Sequence, residues 1–334
     1  MIMKTKILQI TDESLALAAE IIKGGGLVGF PTETVYGLGA LATDDNAVKA
    51  IYEAKGRPSD NPLIIHVHAD YPISTLVYDE WDYVKVLREK FLPGPLTLVY
   101  RSRGAVSPVV SCGLDTLAVR VPSHEGALAF LRAVNAPVAA PSANASKHIS
   151  PVSAEHVYED LEGKIPLILD GGRCSGGIES TVLDVTTETP AILRSGLITY
   201  DMIVDAVGKC VYAQHKETDK VRSPGVKYKH YSPKCKTVMF ARSEWRTAVE
   251  EYVRAKERGE TPVVLCDDGI KKQLGNIDII SLGSTSYEYA ANIYQALHEG
   301  EKRADYIIGI EVEGDSQVDV GVMNRFSKAC MNKQ

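Results

Sequence analysis

Along almost the whole chain, stretches with helical hydrophobic spacing alternate with short apolar runs. Leu15, Ala18, Ala19 and Ile22 fall on one face of a helix over 12–23, and Gly24 offers its stop. Leu27-Val28-Gly29-Phe30 then reads as a buried strand, as do 63–67, 96–100, 117–121, 167–169, 181–185 and 191–193. Helical spacing recurs over 44–54, 81–90, 124–134 and 153–160. The runs 181–185 and 191–193 follow one another across Glu188-Thr189-Pro190 with no helix between, which predicts a mixed rather than purely parallel sheet.

The rhythm stops near residue 213. From 214 to 236 no period holds, seven Lys and Arg face only Glu217 and Asp219, and Ser223-Pro224-Gly225 and Ser232-Pro233 supply turns. A segment of this length without period is expected to be functional or a tether. Lys227, Tyr228, Lys229, His230 and Tyr231 in one run predict a lid that folds back over a bound nucleotide. Beyond it, strands at 238–241, 263–266, 277–281 and 306–312 alternate with helices at 245–258, 286–299 and about 319–330, the pattern of a small Rossmann-like unit. The expected organisation is therefore a first α/β domain over 1–212, a linker or lid over 213–236 and a second α/β domain over 237–334.

Composition narrows the function classes. The 334 residues are 45% hydrophobic, enough for a substantial core, and the net charge of −6 supplies no bulk basic field for non-specific nucleic-acid binding. The longest run without a charged residue, 133–146, has fourteen positions and carries Asn and Pro, so no membrane span is expected. Residues 1–9 hold Lys4 and Lys6 but no apolar core of a secretory signal. Six dispersed cysteines form no CxxC pair and read as reduced thiols of a cytoplasmic protein.

Four segments carry candidate chemistry. Pro31-Thr32-Glu33-Thr34-Val35-Tyr36-Gly37-Leu38-Gly39-Ala40 places hydroxyls and a carboxylate after a strand end, where α/β sheets bind ligands. Its Gly37-x-Gly39-x-x-Ala42 matches a dinucleotide fingerprint in spacing, but the preceding residues are polar and the acidic residue about 20 positions on is missing from a strand end. An ordinary strand–turn–helix with capping hydroxyls reads the same letters. Lys55-Gly56-Arg57-Pro58 offers a point charge and a guanidinium fork suited to phosphate oxygens, or simply cations at a helix end. His66 and His68 alternate on the following run and are expected to share a face; no third ligand at fixed spacing accompanies them, so metal binding is not expected. Pro141-Ser142-Ala143-Asn144-Ala145-Ser146 presents Ser and Asn among small residues, and 170–180 is dense in glycine before Glu179-Ser180. Arg120, between Val119 and Val121, needs a carboxylate or phosphate partner, or an edge position in the sheet. No Walker A, HExxH or zinc-type pattern occurs.

Taken in order, PTETVYGLGA, KGRPSDNPLIIHVH, APSANAS and SPGVKYKHYSP resemble the Sua5 branch of the YrdC/Sua5 family, the L-threonylcarbamoyladenylate synthases. The resemblance is dense from about residue 10 to 233; beyond that it lies in length and strand–helix pattern alone. It implies a YrdC-like twisted mixed sheet with a large concave cavity, followed by a smaller Rossmann-like domain. It implies conversion of L-threonine, bicarbonate and ATP to threonylcarbamoyl-AMP, pyrophosphate and water, a nucleotidyl transfer that feeds the t6A modification at tRNA position 37. Mg²⁺ is expected to arrive on the ATP. The transfer machinery for t6A is the expected partner, with tRNA as a further candidate and no membrane. Carried over by motif, Lys55, Arg57, Asn61, Thr116, Ser142, Asn144, Ser150, Arg194 and Tyr231 would serve ATP, with Lys55 and Arg57 catalytic. Thr32, Thr34, His66, Arg120 and Ser180 would serve threonine. The rival reading is a structured-RNA-binding maturation factor without catalysis. A carbamoyl-transfer enzyme is a second rival, but the acylphosphatase and zinc-finger segments of such chains are absent.

Overall fold

The computed structural model describes residues 3–213 and 231–330, so positions 214–230 of the expected lid lie outside the described residues. The chain divides into two compact units. The first gathers the described residues up to 146, then 151–175, and then those from 179 to 213; the second gathers 147–150, 176–178 and those from 231 onward.

The first unit is built on strands β1 (Lys6–Gln9), β2 (Val28–Phe30), β3 (Gly37–Leu41), β4 (Ile64–His66), β5 (Val77–Tyr78), β6 (Leu96–Ser102), β7 (Thr116–Arg120), β8 (Val138–Ala139), β9 (Leu167–Asp170), β10 (Thr181–Asp184), β11 (Ala191–Arg194) and β12 (Val211–Tyr212). Their spatial order is β1-β9-β2-β3-β8-β4-β7-β6-β10-β11-β12, with β5 added against β6. Parallel pairs such as β4–β7 and β6–β10 alternate with antiparallel ones such as β2–β3, β6–β7 and β10–β11, so the sheet is mixed, as the helix-free link across 188–190 predicted.

Helix formation follows local chemistry. Asp12–Lys23 starts with a reciprocal capping box between Thr11 and Ser14, and its apolar stripe buries Ala18 and Ile22. That stripe meets Phe130 and Leu131 of helix Glu125–Val134 and Val28, Phe30, Leu167 and Leu169 of the sheet. The rings of Phe30 and Phe130 stand 5.1 Å apart between centroids.

Two expectations are corrected. The segment after Tyr36 is a strand: Pro31–Tyr36 turns the chain from β2 into antiparallel β3. Its glycines make room for neighbours, since a Cβ on Gly39 would come within 2.9 Å of Val138 Cγ1 and one on Gly37 within 3.0 Å of Phe30. Neither the strand–turn–helix reading nor the dinucleotide fingerprint therefore describes it. His66 ends β4, and His68 lies past the strand, where its Nε2 stands 3.2 Å from Asn135 Oδ1.

In the second unit β13 (Lys236–Phe240), β14 (Pro262–Cys266), β15 (Ile279–Ser281) and β16 (Tyr306–Ile310) form a wholly parallel sheet in the order β13-β16-β14-β15. Ala248, Tyr252 and Ala255 of helix Trp245–Glu257 pack on Val264, Ile308 and Ile310. Its element pattern follows the predicted strand and helix alternation. Within this unit His148 Nε2 meets Glu301 at 3.0 Å, His298 Nε2 meets the Ser150 carbonyl at 3.2 Å, and the ring of Tyr231 lies 5.4 Å from that of Tyr294. All six cysteines are free thiols.

Candidate active site

Strand parity gathers the site in the first unit. Thr116, Ala118 and Arg120 of β7 point to one face. Register adds Ile64 and His66 of β4, which pair with Ala118 and Arg120. It adds Val99 and Thr97 of β6, Val182 of β10 and Arg194 of β11 through Val99–Ala118, Val182–Thr97 and Val182–Arg194. Ile64, Val99, Ala118 and Val182 pack as a small apolar floor. His66 and Arg120 stand at strand ends on its edge. Thr116 begins β7, four residues from Arg120 and thus about 13 Å away along the strand.

Arg120, buried at 4% exposure, donates from Nη1 to Thr34 Oγ1 at 2.9 Å and approaches Glu33 Oε1 with Nη2 at 2.8 Å. The second contact is an ion pair without hydrogen-bond alignment, because neither Glu33 oxygen nor Nη2 has an aligned partner among the described residues. Of the partners the sequence left open for Arg120, a carboxylate is thus present within the chain itself. Thr32 staples the turn: its Oγ1 accepts from Thr34 N and Val35 N and donates to the Val35 carbonyl at 2.6 Å. Burial, helped by the positive charge of Arg120, pushes the His66 imidazole down to about 3. A neutral ring whose Nδ1 donates to the Ile64 carbonyl, 3.3 Å away, leaves Nε2 as an acceptor; this contact assigns the tautomer.

Ser180 Oγ lies 2.7 Å from Thr97 Oγ1, and Arg194 donates from Nε to the Ser180 carbonyl at 3.1 Å. Arg194 therefore reaches back over the loop that precedes β10. On the other side, helix Asp45–Lys55 ends at Gly56 in the left-handed region with φ of 60°, which turns the chain into the Arg57–Asn61 loop. Lys55 Nζ, buried, donates to the carbonyls of Ser142 (2.6 Å) and Asn144, while Ser142 Oγ donates to Asn144 Oδ1 at 2.6 Å. Burial first, and Arg57 second, hold the Lys55 ammonium well below the usual lysine range. Arg57 Nη2 donates to the Asn61 carbonyl at 3.4 Å, and the Asn61 amide nitrogen and oxygen have no partner among the described residues.

Of the nominated residues, Thr32, Thr34, Lys55, Arg57, Asn61, His66, Thr116, Arg120, Ser142, Asn144, Ser180 and Arg194 belong to the first unit, and Ser150 and Tyr231 to the second. The sequence reading assigned no role to Glu33, Thr97 or Asp160, whose Oδ2 accepts from Ala145 N at 2.9 Å in the Ser142–Asn144 segment. Glu33 was visible as the carboxylate between two threonines; Thr97 gave no signal. Among the described residues no group of three or more His, Cys, Asp or Glu is placed to hold a metal ion, and no helix is long and apolar enough to cross a membrane.

Residues 20–196 match a family model covering Sua5, YciO and YrdC proteins and described as "Telomere recombination". The chain belongs to the Sua5/YciO/YrdC family. Residues 198–330 match the model described as "Threonylcarbamoyl-AMP synthase, C-terminal domain". The threonylcarbamoyl-AMP synthase of Pyrococcus abyssi is 40% identical over 96% of this chain and 95% of its own length. That of Bacillus subtilis is 40% identical over 98% of each. The crystal structure of P. abyssi Sua5 complexed with L-threonine superposes with a TM-score of 0.87 at 40% identity, covering 99% of this chain and 98% of that one. Likeness to Sua5 synthases over both units favours the catalytic reading over an RNA-binding factor without catalysis.

Proposed function

We propose that this enzyme is an L-threonylcarbamoyladenylate synthase, which converts L-threonine, bicarbonate and ATP to threonylcarbamoyl-AMP, pyrophosphate and water for t6A modification of tRNA. The observation that carries the proposal is the single sheet face on which His66, Arg120, Thr97 and Arg194 converge over a small apolar floor, within a chain related along its length to Sua5 synthases.

The threonine amine, as the free base, adds to the carbon of CO₂, formed from bicarbonate by loss of water, and gives up a proton to become an N-carboxylate. One of its oxygens attacks the α-phosphorus, and pyrophosphate leaves in line. An anion attacking an anion needs fixed positive charge and positioning more than a covalent nucleophile. Arg57, on the loop after Gly56, and Arg194 would supply charge to the nucleotide, with Asn61, Thr116, Ser142 and Asn144 as its further contacts. Lys55 would act largely through the segment it holds, because its ammonium is engaged by Ser142 and Asn144. Thr34, His66, Arg120 and Ser180 would receive threonine, and Thr32 would keep the turn in shape. Mg²⁺, entering on the triphosphate, would supply further charge neutralisation. The product would pass to the t6A transfer machinery and tRNA in the cytoplasm.

The test is pyrophosphate release by the purified protein with Mg-ATP, bicarbonate and L-threonine. Omission of threonine or bicarbonate should abolish most of it. Release of ADP and phosphate instead, or tight RNA binding with no nucleotide consumed, would overturn the reading.

A further inference from the structure

Glu33 stands at the centre of the threonine side of the site, and its chemistry is incomplete. It has 9% of its surface exposed, and both carboxylate oxygens are buried with no aligned donor among the described residues. The backbone around it supplies none, because Thr34 N and Val35 N both donate to Thr32 Oγ1. Thr32's hydroxyl donates to the Val35 carbonyl, and Arg120 Nη1 donates to Thr34 Oγ1. Buried carboxylates ordinarily receive several hydrogen bonds. The missing donors at Glu33 point to a bound molecule that brings its own.

Glu33 Oε1 and Arg120 Nη2, 2.8 Å apart, present opposite charges side by side. The headgroup of an amino acid is the complementary object, a carboxylate and an ammonium on one carbon. Resting on the synthase reading above, we propose that Glu33 receives the α-ammonium of L-threonine while Arg120 holds its carboxylate. Glu33 would thereby make the site select amino acids over their deaminated analogues and aim the nitrogen that is to be carboxylated. If Glu33 served only as counter-ion to Arg120, it would weaken the binding of every carboxylate, amino or not.

The two roles predict opposite signs, and calorimetric binding without ATP reads them. L-Threonine and (R)-3-hydroxybutyrate, which keeps the carboxylate and hydroxyl but lacks the amine, are titrated into the full-length wild type, Glu33→Gln and Glu33→Asp. Glu33→Gln should weaken threonine by about thirtyfold or more, the scale of truncating one partner of a buried charge pair. It should leave 3-hydroxybutyrate unchanged or tighter, because Arg120 loses its counter-ion. Glu33→Asp, with the charge set back by one methylene, should narrow the preference for threonine without abolishing it, and it carries the test if the Gln variant does not fold. Equal shifts for both ligands, or an Asp variant with an unaltered preference, would overturn the proposal. Wild type that binds threonine beside a Gln variant that binds it equally would remove the role of Glu33 and leave the synthase reading standing. Wild type that binds no threonine would overturn both.

Discussion

The two units use the ends of their strands differently. In the parallel sheet of the second, Asp267 follows β14, caps the short helix Asp268–Lys271 through Ile270 N and pairs with Arg242. Asp268 accepts from the hydroxyls of Ser281 and Ser284, and Glu288 accepts from Ser284 N and Thr285 N. These carboxylates are spent on caps and turns. In the first unit, Arg120 closes β7 beside a Glu33 whose oxygens lack aligned donors, and the Asn61 amide on the loop before β4 is likewise without a partner among the described residues. Both regions place charge at strand ends. What sets the first apart is a strand-end carboxylate with both oxygens buried and neither given an aligned donor by the described residues, whereas each carboxylate just named in the second has one.

The contrast is sharpest at its two arginines. Arg120→Ala should leave Glu33 buried and uncompensated, costing about 3–5 kcal/mol in urea unfolding, along with threonine binding. Arg242→Ala should cost less, about 1–3 kcal/mol, because Asp267 is buried but keeps its bond from Ile270 N, and loss of the part-exposed Arg242 side chain lets water reach its other oxygen; pyrophosphate release should be unchanged. Similar losses from both variants would break the comparison.

Arg57→Ala should lower kcat/KM about a hundredfold, roughly 3 kcal/mol of transition-state stabilisation, with little change in the unfolding midpoint. Arg57→Lys should restore only part of it, since the guanidinium fork is lost. Near-normal turnover would reduce Arg57 to a helix-end charge. Lys55→Met should act on both quantities. It orphans the carbonyls of Ser142 and Asn144, costing about 1–3 kcal/mol of stability, and it frees the segment that presents Ser142. A loss of rate with intact stability would instead place the ammonium on a phosphate.

A further effect concerns pH. A histidine free in solution titrates near 6.5, whereas His66 is held down to about 3. Between these values the unfolded chain takes up a proton that the folded chain refuses, so stability falls as pH drops, by at most about 1.4 kcal/mol per unit. Wild type should therefore lose stability faster than His66→Gln between about pH 6.5 and 4 in paired urea titrations, and parallel curves would show that His66 is not held neutral.

Much of the fold was legible in the letters. The helices at 12–23, 44–54, 81–90, 124–134 and 153–160 appear within a residue or so of their expected bounds, because each has an amphipathic stripe and most have capping side chains, both properties of adjacent sequence. Strand β3 was not legible: Gly37 and Gly39 look like a turn in isolation, and only Phe30 and Val138 packed against them explain why a strand there must be glycine-rich. His68 was expected beside His66 by alternation, but β4 ends at His66 and the alternation ends with it.

The site divides along the same line. That Arg120 needs an anionic partner or an edge position follows from the sequence, since an arginine between Val119 and Val121 is too costly to bury alone. That the partner is Glu33, 87 residues earlier, and that Thr97, His66 and Arg194 come to share its sheet face, was decided by strand register. Side-chain parity and capping are set by near neighbours in the chain. The register of strands far apart in sequence is fixed only when the whole sheet buries its apolar face at once.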